Sequence, residues 1–174
     1  MIEGERVYLE AIEKKDLPKL MEWRNREDFR KYFREYKDIN TEMQNKWFET
    51  SVLNDNSTIM FSIKSVDSNK LLGCCGLCYI NWIHRNADLS IYIGWENAYI
   101  DEEGFAEESC KLLQDYGFNQ LGLHRIWTEI YEFDEKKKKL YEKLNFHVDG
   151  ILRDNYYYDG KWWNSYMFSI LNCL

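Results

Sequence analysis

Residues 87–118 constrain the fold more than any other stretch of the chain. The run Ala-Asp-Leu-Ser-Ile-Tyr-Ile-Gly begins it as a strand, residues 101–106 form a tight loop, and an apolar stripe that ends at Gly117 forms a helix. The first amides of a helix have no partner within it and the helix dipole is positive there, so such a junction can hold an anion. We therefore predict a ligand that carries phosphate. The loop has neither the GxGxxG nor the GxxxxGK[ST] pattern of the common nucleotide-binding loops.

The composition predicts one globular domain over residues 1–174. Hydrophobic residues make up 45% of the chain and aromatic residues 17%, which suits a continuous core. The single proline and the lack of a Gly/Ser-rich break leave no place for a linker. A net charge of −7 disfavours a broad surface for nucleic acid or anionic membrane, so we expect a small or locally recognised ligand.

Several features favour a cytoplasmic protein that binds neither membrane nor metal. No run approaches the roughly 18 apolar residues that a membrane span needs, and the N-terminus lacks the pattern of a signal peptide. The odd number of cysteines and their apolar surroundings favour reduced thiols; they are Cys74, Cys75, Cys78, Cys110 and Cys173. Cys75 and Cys78 form a C-x-x-C pattern, which we interpret as strand core because no second ligand pair lies nearby. The three histidines lack metal-binding spacing.

The remaining patterns predict a mixed α+β sheet with helices on both faces. Their order is strand, two helices, three strands, helix, strand, helix and two strands, which makes seven strands. Asp16 is placed to cap the first helix, and a capping box at residues 41–44 predicts the start of the second. Gly117 suits a close backbone approach, and Asp159-Gly160 predicts a hairpin between the last two strands.

A cationic aromatic segment, residues 24–37, lies between the two first helices. Its cations alternate with aromatic residues in an otherwise acidic chain. One interpretation is an amphipathic helix, because the aromatic residues recur at helical spacing. The other is part of a site that accepts an anionic molecule.

Taken in order, many short matches along the chain resemble the GNAT superfamily of acetyl-CoA-dependent N-acetyltransferases. They are Trp47, Gly73 and residues 6–10, 23–25, 87–91, 104–106, 116–118, 121–126, 140–146 and 150–153. The likeness covers nearly the whole chain, and is greatest to the branch that includes ribosomal-protein N-terminal-alanine acetyltransferases and, within it, amino-sugar acetyltransferases. It implies a mostly antiparallel sheet of seven strands with a central V-shaped splay. It also implies acetyl-CoA as co-substrate and an amine as acceptor, and leaves a homodimer open.

The resemblance assigns a set of residues to CoA. The family's pyrophosphate loop, Arg/Gln-x-x-Gly-x-Gly/Ala, matches residues 101–106, and an open N–H among residues 90–93 would bind the thioester oxygen. The full set is Ser90, Ile91, Tyr92, Ile93, Asp101, Glu102, Glu103, Gly104, Phe105, Ala106, Asp134 and Lys137. Asp101 replaces the family's Arg or Gln, and three carboxylates crowd the loop. We therefore expect weak or salt-sensitive CoA binding unless these side chains point outward. Asp134 replaces an Asn, so it can accept a hydrogen bond but not donate one.

Two residues match catalytic positions of the family. Asp88 would accept the proton of the amine directly or through a water, and its alternative role is an ion pair with His84 or Arg85. Tyr141 would protonate the departing thiolate, and its alternative role is an aromatic packed beneath the sheet. We expect direct transfer, without a covalent acyl-enzyme.

The cationic aromatic segment suggests the acceptor. Arginine can pair with a diphosphate and aromatic rings can stack on a base, so a nucleotide-linked amino sugar is favoured. The substrate-binding residues are then Trp23, Arg24, Asn25, Arg30 and Tyr32. Protein N-termini, polyamines, antibiotics and other small amines stay open as acceptors. A non-catalytic acyl-CoA-binding module is the alternative that the acidic loop suggests, and RNA binding is disfavoured by the net charge.

Overall fold

One eight-stranded sheet organises residues 1–172, which the computed structural model describes. The strands are β1 (Ile2–Glu3), β2 (Val7–Ala11), β3 (Ile59–Ser65), β4 (Leu71–Asn81), β5 (Asn86–Ile93), β6 (Arg125–Tyr131), β7 (His147–Tyr158) and β8 (Lys161–Leu171). Their order is β1-β2-β3-β4-β5-β6-β8-β7, and β5 and β6 alone among neighbouring strands of the described residues pair in parallel. This confirms the mixed, mostly antiparallel α+β fold. The sheet has one strand more than predicted. The additional strand is β1, whose two residues are too few to show an alternating pattern.

Within residues 1–172, five α-helices connect and cover these strands: α1 (Leu17–Asn25), α2 (Glu27–Arg30), α3 (Thr41–Trp47), α4 (Phe105–Asp115) and α5 (Glu135–Lys143). Asp16 precedes α1, but its carboxylate does not cap the helix as predicted. Instead it is buried and accepts from the Ser62 hydroxyl at 2.8 Å and the Lys64 ammonium at 3.3 Å. The predicted capping box also lies one residue off. Asn40 caps α3 by accepting from the Met43 amide at 2.8 Å, so Thr41 becomes the first helical residue.

The cationic aromatic segment, residues 24–37, does not form the single amphipathic helix that the spacing predicted. Arg26 is extended, with φ −60° and ψ 133°, and separates α1 from the four-residue α2. Beyond α2 the chain folds back. The Asn25 side chain fixes this return by bonding both the carbonyl and the amide of Ile39, at 2.7 and 2.8 Å. A long-range contact of this kind overrides local helical periodicity.

Side chains alternate between two buried faces along the central strands β4 and β5. Tyr92 points to α1, and its hydroxyl lies 3.5 Å from the Leu20 carbonyl. Leu77 points to the opposite face, against the turn that continues α4. A Cβ added to Gly117 in that turn would lie 2.9 Å from Ile126 and 3.3 Å from Leu77, which explains the glycine. Helices therefore cover both faces of the sheet.

The parallel pair β5 and β6 separates along its length. The two strands pair at Asn86 with Arg125, at Ala87 with Ile126 and at Asp88 with Trp127, and not beyond. Both strands continue past this point, so a gap opens between them. This is the V-shaped splay that the resemblance implied.

Other features of the described residues bear on the remaining expectations. Asp159 and Gly160 adopt φ values of 52° and 76°, which suits the predicted tight hairpin between β7 and β8. The four described cysteines carry free thiols, and Cys173 lies outside the described residues. None of the helices within residues 1–172 has both the length and the apolar character needed to cross a membrane. In that same range, no cluster of three or more His, Cys, Asp or Glu side chains could hold a metal ion.

Candidate active site

The backbone of β5 presents one open amide to the gap. Ile93 donates to the Tyr99 carbonyl at 2.8 Å on the gap side, while Gly94 donates to Leu72 of β4 on the other. Amides alternate in direction along a strand, so Ser90 and Tyr92 face β4 and Ile91 faces the gap. Ile91 also lies beyond the last residue that pairs with β6. Of the residues 90–93 predicted to bind the thioester oxygen, Ile91 is the one with its amide available.

Asp88 lies at the closed end of the gap, where pairing between β5 and β6 stops. Its side chain is buried, with 9% exposed. Burial raises the pKa of Asp88 to about 7, although the positive charges of Arg34 and Lys137 act in the opposite direction. A carboxyl with this pKa can gain and lose a proton near neutral pH. Its cationic neighbours are thus Arg34 and Lys137 rather than the His84 and Arg85 that the sequence suggested.

Tyr141 approaches the gap from α5. Its ring is fully buried and packs near Phe146 and Phe168, with centroids 5.1 and 6.3 Å away. Its hydroxyl is also buried and has no well-formed hydrogen bond with the described residues; Thr128 of β6 is its polar neighbour. Burial raises the pKa of Tyr141 well above its usual value, so the phenol stays protonated. Burying a hydroxyl without a good hydrogen bond costs free energy, so this one needs an explanation beyond packing.

Asp134 and Tyr99 join the start of α5 to the loop that follows β5. Asp134 accepts from the Lys137 amide at 3.1 Å and from the Tyr99 hydroxyl at 2.6 Å. Burial raises the pKa of Asp134 and lowers that of Lys137, whose ammonium lies 5.4 Å from the centre of the Tyr99 ring. Tyr99 has φ +64°, and the Tyr32 ring stacks on the Tyr99 ring with the two centroids 4.1 Å apart. Sequence reasoning missed Tyr99, because its strained backbone and these contacts leave no mark in the local pattern.

The amides of the predicted anion-binding loop are occupied by a carboxylate of the loop itself. The Asp101 carboxylate accepts from the amides of Gly104, Phe105 and Ala106, each at 2.7 Å. Gly104 turns the chain toward Asp101 with φ +97°, a conformation that glycine adopts readily. The Asp101 side chain therefore points inward, onto the amides that the resemblance assigned to the diphosphate.

A cleft of about 750 Å³ lies in front of this loop and is lined by both basic and acidic side chains. Its basic lining consists of Arg6, Lys136, Lys139 and Lys143, and its acidic lining of Asp101, Glu102, Glu103 and Glu107. Lys143 pairs with Glu107, and the Arg6 guanidinium donates to the Glu103 carbonyl. Lys139 has no ion-pair partner among residues 1–172, so it is available to a phosphate.

The five residues predicted to bind the acceptor occupy different environments. Trp23 is 3% exposed and packs on Gly94, where an added Cβ would lie 1.8 Å from the indole. Asn25 is engaged with Ile39, as described above. Tyr32 stacks on Tyr99. This packing accounts for Trp23 and Asn25 without an acceptor, so their predicted role stays a prediction.

The arginines of the segment have internal partners. Arg30 pairs with Asp38, and Arg26 pairs with Asp28 at 2.8 Å. The Arg24 guanidinium lies 4.1 Å from the centre of the Phe33 ring. Arg24 also lines a cavity of about 170 Å³ between α1, α3 and the central strands, together with Glu35, Trp47, Ser90 and Tyr92. Three of the four arginines of the segment are therefore paired with carboxylates, whereas the buried Nε of Arg24 has no hydrogen-bond partner among the described residues.

The arrangement of gap, loop and helices agrees with the comparison of the sequence with known families. A sequence model described as the acetyltransferase (GNAT) domain matches residues 6–147. The chain belongs to the GNAT acetyltransferase family. This confirms the predicted superfamily and class of enzyme, an acetyl-CoA-dependent N-acetyltransferase, and it does not depend on the ribosomal-protein branch.

Individual members of the family are similar over different lengths. A spermidine N(1)-acetyltransferase of Vibrio cholerae is 29% identical over 158 residues, which cover 88% of this chain and 86% of that protein. An uncharacterised N-acetyltransferase, p20, of Bacillus licheniformis is 33% identical over 111 residues; the match spans 64% of this chain and only 61% of that relative.

Solved structures cover more of the chain. A spermidine N-acetyltransferase from Vibrio cholerae in complex with CoA and spermine has a TM-score of 0.87, with 26% identity and 95% of each chain covered. A dodecameric structure of spermidine N-acetyltransferase from the same organism has a TM-score of 0.79, with 25% identity, and covers 95% of this chain and 94% of that one.

Proposed function

We propose that this protein transfers the acetyl group of acetyl-CoA to a primary amine of a polyamine. The observation that carries the proposal is the gap between β5 and β6, which brings an open amide, a carboxyl of raised pKa and an unpaired phenol to one place. These are the groups that acyl transfer to an amine requires: a donor for the carbonyl oxygen, a base and an acid.

Each group has one role in the proposed reaction. The Ile91 amide donates to the thioester oxygen as that oxygen gains negative charge. Asp88 takes the proton of the attacking amine, which as an alkylammonium has a pKa of roughly 10.4 and is mostly charged at neutral pH. Tyr141 donates its proton to the departing thiolate. Asp134 and Lys137, at the start of α5, line the approach of the pantetheine arm.

A polyamine fits the charge of the protein better than the nucleotide-linked amino sugar that the sequence favoured. The amino-sugar hypothesis depended on free arginines in residues 24–37 that could bind a diphosphate. Arg26, Arg30 and Arg34 instead pair with Asp28, Asp38 and Glu129. The net charge of −7 favours a cationic acceptor, and both a relative and a solved structure that are similar to this chain are named as spermidine acetyltransferases of Vibrio cholerae.

A direct assay separates these acceptors. We expect release of CoA thiol from acetyl-CoA with spermidine or spermine, and at least about tenfold lower kcat/KM with UDP-linked amino sugars and with peptides that begin with alanine. A preference for the amino sugar or the peptide would contradict the polyamine proposal. Binding of CoA without turnover of any amine would instead favour a non-catalytic acyl-CoA-binding module.

Asp101 is expected to weaken CoA binding, because its carboxylate occupies the amides that would otherwise face the diphosphate. Asp101→Asn removes this charge, and we expect the Kd of CoA to fall by about tenfold. Calorimetric titration measures the change. Glu102→Gln is the matched control, since it removes the same charge from the loop without touching those amides.

Pantetheine supplies a second control, because it lacks the diphosphate. The gain in affinity of Asp101→Asn should be absent with pantetheine. An unchanged Kd for CoA, or an equal gain in Glu102→Gln, would show that Asp101 caps α4 without competing with the ligand.

The remaining expectations are proposed on the same basis. A single domain over residues 1–174 is in keeping with one sheet that runs from Ile2 to Leu171. Homodimer formation stays a prediction for this chain.

A further inference from the structure

A second carboxylate lies near Asp88 at the gap and has no part in the proposed transfer itself. Glu129 of β6 is two residues beyond Trp127, the partner of Asp88. Residues two apart on a strand share a face, so Glu129 lies on the same face of the sheet as Trp127 and Asp88. It is offset from Asp88 by about 7 Å in the direction of the strands. The Glu129 side chain is only 15% exposed.

The two oxygens of Glu129 have different partners. One accepts from the Asn155 amide of β7 at 2.8 Å, and that amide also donates to the Ser165 hydroxyl at 2.9 Å. The other lies 3.0 Å from the Arg34 guanidinium. Asn155 therefore fixes the carboxylate to the sheet, while its second oxygen points to a cation.

That cation belongs to a segment without regular structure. Arg34 follows α2 in the part of the chain that folds back over the gap, and its side chain is about half exposed. Its guanidinium interacts electrostatically with Asp88 as well as with Glu129. Arg34 is thus a cationic neighbour of both carboxylates, and its ion pair is with Glu129.

We propose that Glu129 binds the second ammonium of the polyamine and that Arg34 occupies this position when no polyamine is bound. A polyamine carries ammonium groups separated by short methylene chains, so one can reach Asp88 while the next reaches Glu129. The incoming ammonium replaces the guanidinium, and Arg34 moves into solvent. This inference rests on the proposed function and adds the residue that selects a polyamine over a monoamine.

Substitutions of the two partners of the ion pair are expected to shift the KM for spermidine in opposite directions. Glu129→Gln keeps the shape of the side chain and its bond with Asn155 but loses the charge. We expect the KM for spermidine to rise by about tenfold, with kcat little changed. Arg34→Gln removes the competing cation, and we expect the KM for spermidine to fall a few-fold. A structural role of the pair would move both variants in the same direction.

Steady-state assays of the full chain with spermidine and with a primary alkylamine of similar length test the inference. They are run at a pH well above 7, where Asp88 is ionised, and thermal melts confirm that each variant is folded. The KM for the monoamine should change by about twofold or less in Glu129→Gln, because it has no second ammonium.

Three outcomes would overturn the inference. In the first, both variants shift the KM for spermidine in one direction or leave it unchanged, which leaves the proposed function intact. In the second, Glu129→Gln changes the KM for the monoamine as much as the KM for spermidine, which also leaves the proposed function intact. In the third, the parent protein acetylates neither amine, and then the proposed function fails together with the inference.

Discussion

Replacing Asp88 by asparagine is expected to lower kcat/KM for spermidine by at least about 100-fold, the size of effect that general bases commonly have. Asparagine keeps the shape and much of the hydrogen bonding of the side chain but cannot accept the proton of the ammonium. In the parent protein, kcat/KM should rise with pH through an apparent pKa of about 7, because Asp88 becomes ionised there. In Asp88→Asn that rise should disappear, while the ionisation of the amine near pH 10 remains.

The pKa of Asp88 also has a consequence for stability. A carboxyl whose pKa is raised by folding binds its proton more tightly in the folded state than in the unfolded state. Its contribution to stability is complete below its ordinary pKa and is lost as the pH rises through about 7. Asp88→Asn should therefore raise the melting temperature relative to the parent at pH 8, and raise it less or lower it at pH 5.

Asp149→Asn is the control for both measurements. The pKa of Asp149 is lowered by its hydrogen bond with Ser169 and by Arg125, whose guanidinium lies 2.5 Å away. Its substitution should leave the rise near pH 7 in place. A pH profile shared by Asp88→Asn and the parent would remove Asp88 from the role of base and leave it as a partner of Arg34.

The order of strands and helices could be predicted because each depends on local periodicity. The alternation along β3, β4 and β5 and the four- and three-residue spacing along α4 lie within single elements. Residues 24–37 also have helical spacing, but Asn25 bonds the backbone of Ile39 and folds the segment back. That contact joins Asn25, near the start of the segment, to Ile39, which lies beyond its end, so no local pattern reveals it.

The candidate site, too, could be predicted from the sequence only where it depends on local patterns or on the resemblance. The pattern of residues 101–106 indicated it, and the resemblance added positions 88 and 141 together with their roles. The sequence could not reveal the direction of the Asp101 carboxylate, since the same residue could face solvent or the amides. Nor could it pair Arg34 with Glu129, because the two are 95 residues apart and meet only after β6 has joined the sheet.

Replacing Tyr141 by phenylalanine is expected to lower kcat by about 100-fold while the Kd of CoA changes little. Phenylalanine preserves the packing of the ring on Phe146 and Phe168 and removes only the hydroxyl. Because that hydroxyl is buried and has no well-formed hydrogen bond with the described residues, its loss should leave the melting temperature unchanged or raise it. An activity that falls while stability does not is the expected signature of a residue kept for chemistry.

Thiol release at saturating acetyl-CoA and spermidine measures kcat, calorimetric titration measures CoA binding, and thermal melts measure stability. Tyr116→Phe is the matched control, since Tyr116 packs edge-on against Phe61 of β3 at 5.7 Å and has no role in the proposed transfer. An unchanged kcat in Tyr141→Phe would leave Tyr141 as a packed aromatic, and the proton for the thiolate would then come from solvent. A kcat that falls together with the melting temperature in both variants would point to packing rather than to proton transfer. The proton is assigned to the Tyr141 phenol only if kcat falls in Tyr141→Phe and not in Tyr116→Phe, and if Tyr141→Phe is at least as stable as the parent.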